Sequence, residues 1–351
     1  MIQHMPKIAV YTIAKNEEKF VEKWYNSAKD ADYLFILDTK STDKTVKIAK
    51  SLGINVKVQK IDPWRFDNAR NIALSHLPED IDLCIALDMD EILVDGWREK
   101  IGKAVLDGVN RPRYQYTWSW NEDGSPGLVY GGDKIHSRHG FVWKHPVHEV
   151  LVCEGIENQG WYDLEIHHHP DSTKSRSQYM PLLKMAVEED PEDDRNAFYY
   201  ARELFFKSDM DNAAKEFKRH LSLPRAVWKP ERSASMRYLS KIEDTESWLL
   251  RSAAESPDRR EPWFELSMYY YFKQDWVSCL SHAERALSIT EKPLEYLCEE
   301  DSWGYKPYDL AAVSSYNLGF YEKAKVYGET ALSLNPKDKR LLTNLEWYSS
   351  K

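Results

Sequence analysis

Short β-branched apolar runs alternate with segments of helical spacing from Lys7 to Asp88, and that alternation leaves few ways to fold. KIAVYTI (Lys7–Ile13) reads as a buried strand, and EEKFVEKWYNSAKD places Phe20, Val21 and Trp24 on one helical face. DYLFILD is a second strand ending at Asp38. STDKTVKIAKSLG reads as a helix with Ser41 or Thr42 as its N-cap and Gly53 at its C-terminus. INVKVQK alternates as a strand, WRFDNARNIALSHL is helical, and IDLCIALD is the next strand. Strand and helix in strict succession predict a mostly parallel sheet with helices on both faces. Ligands of such sheets sit beyond the carboxyl ends of the strands. Three strand ends carry polar clusters, Thr12–Glu17, Asp38–Asp43 and Asp88–Glu91, which are expected to converge on one crevice.

From about Arg111 to His169 the pattern becomes short, aromatic and alternating: RYQYTWSW, FVWKHPVHEVLV, DLEIHHHP. Turn signals such as EDGSPG and YGGD separate these runs, which read as antiparallel strands and loops closing the first domain. The 351 residues carry a net charge of −9, which argues against general affinity for nucleic acid or anionic membrane. Cys84, Cys153, Cys279 and Cys298 form neither a CxxC pair nor a zinc spacing, and Cys84 lies inside an apolar run. The opening MIQHMPKIAVYTI has no charged segment followed by a long apolar stretch, so no leader is expected. No run approaches the ~20 apolar residues that span a bilayer. A cytoplasmic protein is the expectation.

Beyond about Ser172 the chain reads as helical to its end, which divides it into domains 1–172 and 173–351. Three stretches align without gaps: YARELFFKSDMDNAAKEFKRHLSL, LSMYYYFKQDWVSCLSHAERALSI and AAVSSYNLGFYEKAKVYGETALSL. Ala213, Cys279 and Ala324 occupy one equivalent position, and His220, Ala286 and Ala331 another. The first two stretches start 66 residues apart, about two repeats of the ~34-residue tetratricopeptide period. ERSASMRYLSKI and SWLLRSAAESP fill the gap as a diverged pair, and EKPLEYLCEEDSWGYKP reads as an insertion before the third.

Chemistry concentrates at Asp88-Met89-Asp90-Glu91. On a strand, residues two apart share a face, so Asp88 and Asp90 are expected to look into one crevice. Carboxylates there suit Mg²⁺ or Mn²⁺, which accompany diphosphates. TIAKNEE (Thr12–Glu18), LDTKSTDKT (Leu37–Thr45), FDNARNIAL (Phe66–Leu74) and LDMDE (Leu87–Glu91) occur in this order. Together they resemble the family 2 glycosyltransferases, which have a GT-A nucleotide-diphospho-sugar fold. The resemblance runs over roughly Lys7 to Asp95 and departs at Lys40 and Lys44, where the family often has Gly.

That resemblance implies roles for individual residues. The backbone around Thr12 and Ala14, with Asn16, lines the base pocket, and Glu17 approaches the ribose. Asp38 hydrogen-bonds the base, which favours a uracil donor. Asp67 or Asn68 lines the same pocket, and Arg70 contacts the diphosphate. Asp88 holds ribose, metal or both, Asp90 is the direct ligand of Mn²⁺ or Mg²⁺, and Glu91 stands beside them. His148-Glu149 in WKHPVHEV resembles the HE motif of the branch with C-terminal tetratricopeptide repeats. It makes Glu149 the candidate base for an inverting transfer, with Asp95 as a weaker one and His148 beside metal or phosphate. In IHHHPD, Ile166 and His168 share a strand face, and His168, with His169 second, matches a late His that adds a metal ligand. Lys174 and Arg176 lie where a basic loop closes over the diphosphate. The aromatics of Tyr114–Trp120 are either an acceptor platform or β-core.

The expectation is therefore a metal-dependent inverting glycosyltransferase: a GT-A α/β domain followed by helical repeats. Its partners are a nucleotide-diphospho-sugar and a saccharide, lipid-linked or protein acceptor, with a protein partner or self-association through the repeats. A sugar nucleotidyltransferase is the first rival, and TIAKNEE lacks the Gly-rich loop such enzymes place after the first strand. A non-catalytic nucleotide- or peptide-binding repeat protein is the second.

Overall fold

The computed structural model describes residues 6–171 and 179–350. Two compact units divide the chain, Met1–Ala186 and Val187–Lys351. The first unit opens with β1 (Ile8–Ala14), α1 (Val21–Ala28), β2 (Tyr33–Asp38), α2 (Thr45–Ser51), β3 (Asn55–Val58), α3 (Phe66–Ser75) and β4 (Leu83–Ala86). It continues with β5 (Glu91–Leu93), α4 (Trp97–Leu106), β6 (Arg111–Thr117), β7 (Val129–Gly132) and β8 (Ile135–Ser137). β9 (Phe141–Lys144), β10 (Val150–Cys153), β11 (Gln159–His168) and α5 (Tyr179–Glu189) follow.

The main sheet has the order β3-β2-β1-β4-β8, parallel except for β8, which runs antiparallel to β4. Its central strands β1, β2 and β4 are buried on both faces, while the edge strand β3 is largely exposed. On one side Ile8, Val10 and Ile36 pack with Val21 and Trp24 of α1, Ala49 of α2, and Trp97 and Ile101 of α4. On the other, Ala9, Tyr11 and Leu37 pack with Ala69, Ala73 and Leu74 of α3. Two-sided burial is why these strands read as continuous apolar runs rather than alternating ones. α2 starts at Thr45 rather than after Ser41 or Thr42, because Ser41 Oγ and the Thr42 N–H are both bonded to Asn16.

A second sheet has the order β5-β11-β6-β7. β6 and β7 pair antiparallel as expected, but β6 and β11 pair in parallel, which corrects the all-antiparallel reading. The chain between β6 and β11 contains β7 to β10, long enough to return to the starting end of the sheet, which a parallel pair requires. Along β11, Leu164, Ile166 and His168 all turn inward.

The second unit is all helical: α6 (Asp194–Phe206), α7 (Met210–Ser222), α8 (Lys229–Glu243), α9 (Glu246–Glu255), α10 (Arg260–Phe272) and α11 (Trp276–Leu287). α12 (Glu300–Trp303), α13 (Lys306–Asn317), α14 (Tyr321–Leu334) and α15 (Lys339–Ser349) complete it. α6 packs on α7, α8 on α9, α10 on α11 and α13 on α14, a tetratricopeptide-like array. Ala213, Cys279 and Ala324 are each 0% exposed, as are His220, Ala286 and Ala331. These are the equivalent positions where paired helices touch. The diverged pair is α8 and α9, and the insertion before α13 carries the short α12. Among the described residues, no helix is long and apolar enough to cross a membrane.

Candidate active site

Polar groups gather at the carboxyl end of the main sheet. The loops after β1 and β2 are tied together there. The Asn16 N–H donates to Ser41 Oγ at 2.8 Å, the Thr42 N–H to Asn16 Oδ1 at 2.8 Å, and the Glu17 N–H to Thr45 Oγ1 at 2.7 Å. Asn16 takes φ +58°, a conformation Asn tolerates better than most residues. Thr12, Ala14 and Glu17 are buried along this edge. Asp38, the last residue of β2, is fully buried, and its Oδ1 accepts the N–H groups of Lys40 (3.1 Å) and Ser41 (2.9 Å). Its Oδ2 is buried without a hydrogen-bond partner. An acceptor left so costs about 1–3 kcal/mol.

The two acids of the DxD sequence do not lie on a strand. β4 ends at Ala86, and Asp88, Met89 and Asp90 form the turn before β5. The Glu91 N–H closes that turn onto the Asp88 carbonyl at 2.9 Å, and Met89 packs into the core. The strand alternation expected of Asp88 and Asp90 therefore does not apply, and their carboxylates have different partners.

Asp88 sits between two cations: Oδ1 accepts from Arg70 Nη2 and Oδ2 from Lys134 Nζ, both at 2.7 Å. Lys134 Nζ also donates to Glu91 Oε1 at 2.7 Å, which takes the Tyr116 hydroxyl at 2.6 Å. Glu91 Oε2 accepts the Asp88 N–H at 2.8 Å. Burial works against the charge of Asp88, but Arg70 and Lys134 outweigh it and hold its carboxyl well below the usual range. Burial pushes the Glu91 carboxyl up, with Lys134 pulling the other way. Lys134 loses hydration too, yet Asp88 and Glu91 hold its ammonium well above its ordinary value.

Arg70 is not a surface side chain. It reaches from α3 and is 5% exposed; its Nε donates to Glu149 Oε1 at 2.5 Å, and its guanidinium lies 5.0 Å from the Trp143 ring. Its Nη1 is buried without a hydrogen-bond partner. Glu149 directly precedes β10, and His148 stands in the turn at φ +52°, edge-on to Tyr179 at 5.6 Å. The two therefore do not alternate along a strand. Asp67, also buried, has its carboxylate taken by Arg65 through Nε (3.0 Å) and Nη2 (2.8 Å).

Asp90 meets His168. Asp90 Oδ2 lies 3.4 Å from His168 Nε2, while His168 Nδ1 lies 3.0 Å from the Trp118 carbonyl. With Nδ1–H donated to that carbonyl, Nε2 faces Asp90: protonated, it pairs with the carboxylate, and neutral, it can ligate an ion beside it, the arrangement by which a second hydrogen bond sets a ligating imidazole. Burial pulls the His168 imidazole down, but the Asp90 carboxylate and the Trp118 carbonyl raise it overall. The aromatics from Tyr114 to Trp120 build this seat rather than an open platform. Tyr114 and Tyr116 are core, Trp118 stacks on His168 at 4.3 Å, and Trp120 Nε1 donates to the His168 carbonyl at 3.0 Å. Asp88, Asp90 and His168 do not bring one ligand atom each within 4.8 Å of one another. Lys174 and Arg176 lie outside the described residues.

Sequence reasoning missed Lys134. It directly follows the YGGD turn, as one cation in the mostly polar segment KIHSRH. What carries it to Asp88 is the pairing of β8 with β4, which no local pattern announces.

Residues 9–141 match the family model described as Glycosyl transferase family 2. A Rickettsia bellii protein described as an uncharacterized glycosyltransferase is 48% identical over 59 residues, covering 16% of this chain and 19% of its own. One from Rickettsia typhi, described likewise, is 36% identical over 112 residues, 31% of this chain and 36% of its own. The chain thus spans well under half the length of these relatives. Among solved structures, glucosyl-3-phosphoglycerate synthase from Mycobacterium tuberculosis, in complex with Mn²⁺, UDP and glucosyl-3-phosphoglycerate, is 18% identical. It covers 47% of this chain and 69% of its own, with a TM-score of 0.34. Pseudomonas aeruginosa pilF is 13% identical over 49% of this chain and 72% of its own, with a TM-score of 0.38. These two likenesses are too loose to carry an argument. The matched range includes Asp38, Arg70, Asp88 and Asp90, and the chain carries a glycosyl transferase family 2 domain over residues 9–141, with tetratricopeptide-like repeats after it.

Proposed function

We propose that this chain is a metal-dependent, inverting glycosyltransferase that takes a sugar from a nucleoside-diphosphate donor, with UDP-sugars favoured. The observation that carries the reading is the 3.4 Å approach of Asp90 Oδ2, inside the family 2 match, to His168 Nε2, on the strand β11 beyond it. One carboxylate and one oriented imidazole fit a divalent ion, Mn²⁺ in preference to Mg²⁺ because imidazole nitrogen suits Mn²⁺ better. Asp90 and His168 would hold it, and when bound it supplies positive charge to the departing diphosphate. Asp88, already held by Arg70 and Lys134, is assigned to the ribose side rather than to the metal.

The two buried groups without partners fit the donor. Asp38 Oδ2 accepts an N–H of the base, and Arg70 Nη1 donates to a phosphate oxygen. Thr12, Ala14, Asn16 and Glu17 line the nucleoside edge. Glu149 takes the proton of the acceptor hydroxyl as its oxygen bonds to the anomeric carbon. The bond from that carbon to the diphosphate oxygen breaks, and the nucleoside diphosphate leaves with the electron pair. The acceptor is a saccharide, a lipid-linked glycan or a protein, and the repeats offer a surface for a protein partner or a second copy.

The ion pair of Glu149 with Arg70 favours a second role for Glu149, holding the guanidinium in place. One variant separates the two. As the base, Glu149→Gln keeps donor affinity and loses sugar transfer by at least about a hundredfold, within the range a general base contributes. As a positioning residue only, Glu149→Gln weakens donor binding. Transfer at the wild-type rate would remove both roles.

A further inference from the structure

The second unit contains a group of side chains that the transferase reading leaves unused. A ring nitrogen of His220, a carboxylate oxygen of Asp194 and one of Glu231 lie within 4.8 Å of one another. They come from three packed helices: the start of α6, the last turn of α7 and the first turn of α8. The corresponding positions of the other two aligned repeats carry Ala286 and Ala331, so the fold asks only for a methyl where this repeat places an imidazole.

His220 is 0% exposed. Its Nδ1 lies 2.8 Å from Ser235 Oγ, and its Nε2 is buried without a hydrogen-bond partner. Glu231 is 3% exposed, and its Oε1 takes the Tyr296 hydroxyl at 2.6 Å. Ser235 and Tyr296 thus each hold one atom of these two groups, the support that ligating side chains receive from their neighbours. No hydrogen bond joins His220 Nε2 to either carboxylate. Groups too far apart to hydrogen-bond yet within 4.8 Å have the separation of ligands around one ion, whose bonds are about 2.0–2.2 Å each. Arg195 Nη1 lies 4.0 Å from Glu231 Oε1, and Arg202 also acts on Glu231 from further off. Arg219 and Arg232 are paired elsewhere, with Glu216 and Glu255.

We propose that Asp194, His220 and Glu231 bind a divalent transition-metal ion, Zn²⁺ or Mn²⁺, which joins α6, α7 and α8 at the start of the repeat array. One imidazole with two carboxylates suits either ion. The site is structural, and it is independent of the ion assigned to Asp90 and His168.

The test counts metal on the full chain. Wild type, Asp90→Ala, Asp194→Asn and the double variant are equilibrated with Zn²⁺ or Mn²⁺, freed of unbound metal, and analysed for bound ion per chain. Circular dichroism checks that each is folded. Asp194 is partly exposed and is not the N-cap, a role Asp193 fills, so Asp194→Asn is expected to fold even where His220→Gln does not. The proposal expects Asp90→Ala to keep one ion, the double variant to keep none, and added metal to raise the melting temperature of Asp90→Ala but not of the double variant. A folded Asp90→Ala protein that binds no ion would overturn it. So would a double variant that still holds one.

Discussion

Lys134 sets the charge balance at the end of the main sheet. Asp88 and Glu91 approach one another on a tight turn, and the ammonium between them offsets both. Removing one partner of such a group leaves an uncompensated buried charge, which costs about 3–5 kcal/mol. Lys134→Met should therefore lower the unfolding free energy by about 3 kcal/mol in urea denaturation. A midpoint unchanged from wild type would mean the three charges do not depend on one another. His136 makes a second residue-scale prediction. It is fully buried between the Tyr11 hydroxyl (2.9 Å) and the Ser137 carbonyl (2.7 Å). Burial, with Arg111 and Arg138 nearby, pushes its imidazole from 6.5 down to about 4. The unfolded chain therefore binds a proton that the folded chain refuses. The associated stability is complete above about pH 6.5 and is lost as pH falls towards 4, on the order of 3 kcal/mol in all. Unfolding free energies across that window should fall less steeply for His136→Gln than for wild type; equal slopes would show that His136 is not held neutral.

At the scale of elements, what was legible in the sequence depended on how local its cause was. The first four strands and three helices follow from spacing and burial, because β1, β2 and β4 are covered on both faces and the edge strand β3 alternates. Lys40, noted as standing where related chains have Gly, takes φ +74°, so the loop after β2 keeps a left-handed turn without glycine. The inward face of β11 was also legible, since Ile166 and His168 share it by simple alternation. The parallel pairing of β11 with β6 was not, because pairing partners are chosen by distant segments. Nor was the turn at Asp88–Asp90. An apolar run followed by acids looks the same whether the strand stops at Ala86 or continues. Gly132 in β7 is a further element-scale requirement. It pairs with Tyr114 of β6, and a Cβ there would come within 2.2 Å of the Tyr114 ring. Gly132→Ala should cost about 1–3 kcal/mol by overpacking. Thermal melts would measure this, and a neutral result would show that the β6–β7 pair moves freely.

For the whole molecule, the division into an α/β unit and a helical unit was visible in the change of periodicity alone. The repeat alignment also marks the buried contact positions: Ala213, Cys279 and Ala324 are fully buried. The site was legible as a set of residues but less so as a geometry. Asp38, Arg70, Asp90 and His168 were all singled out, yet the sequence does not tell that Asp88 faces two cations while Asp90 faces His168. The central claim is that Asp90 and His168 hold a divalent ion that completes a nucleotide site. A thermal-shift screen of UDP, GDP, CDP, ADP and dTDP, each with and without Mn²⁺, on wild type and Asp90→Ala, tests it most directly. A ligand at a hundred times its dissociation constant adds about 2.7 kcal/mol to stability. The account predicts a Mn²⁺-dependent rise in melting temperature with UDP for wild type and none for Asp90→Ala. No rise with any nucleotide, or an equal rise in the variant, would contradict it.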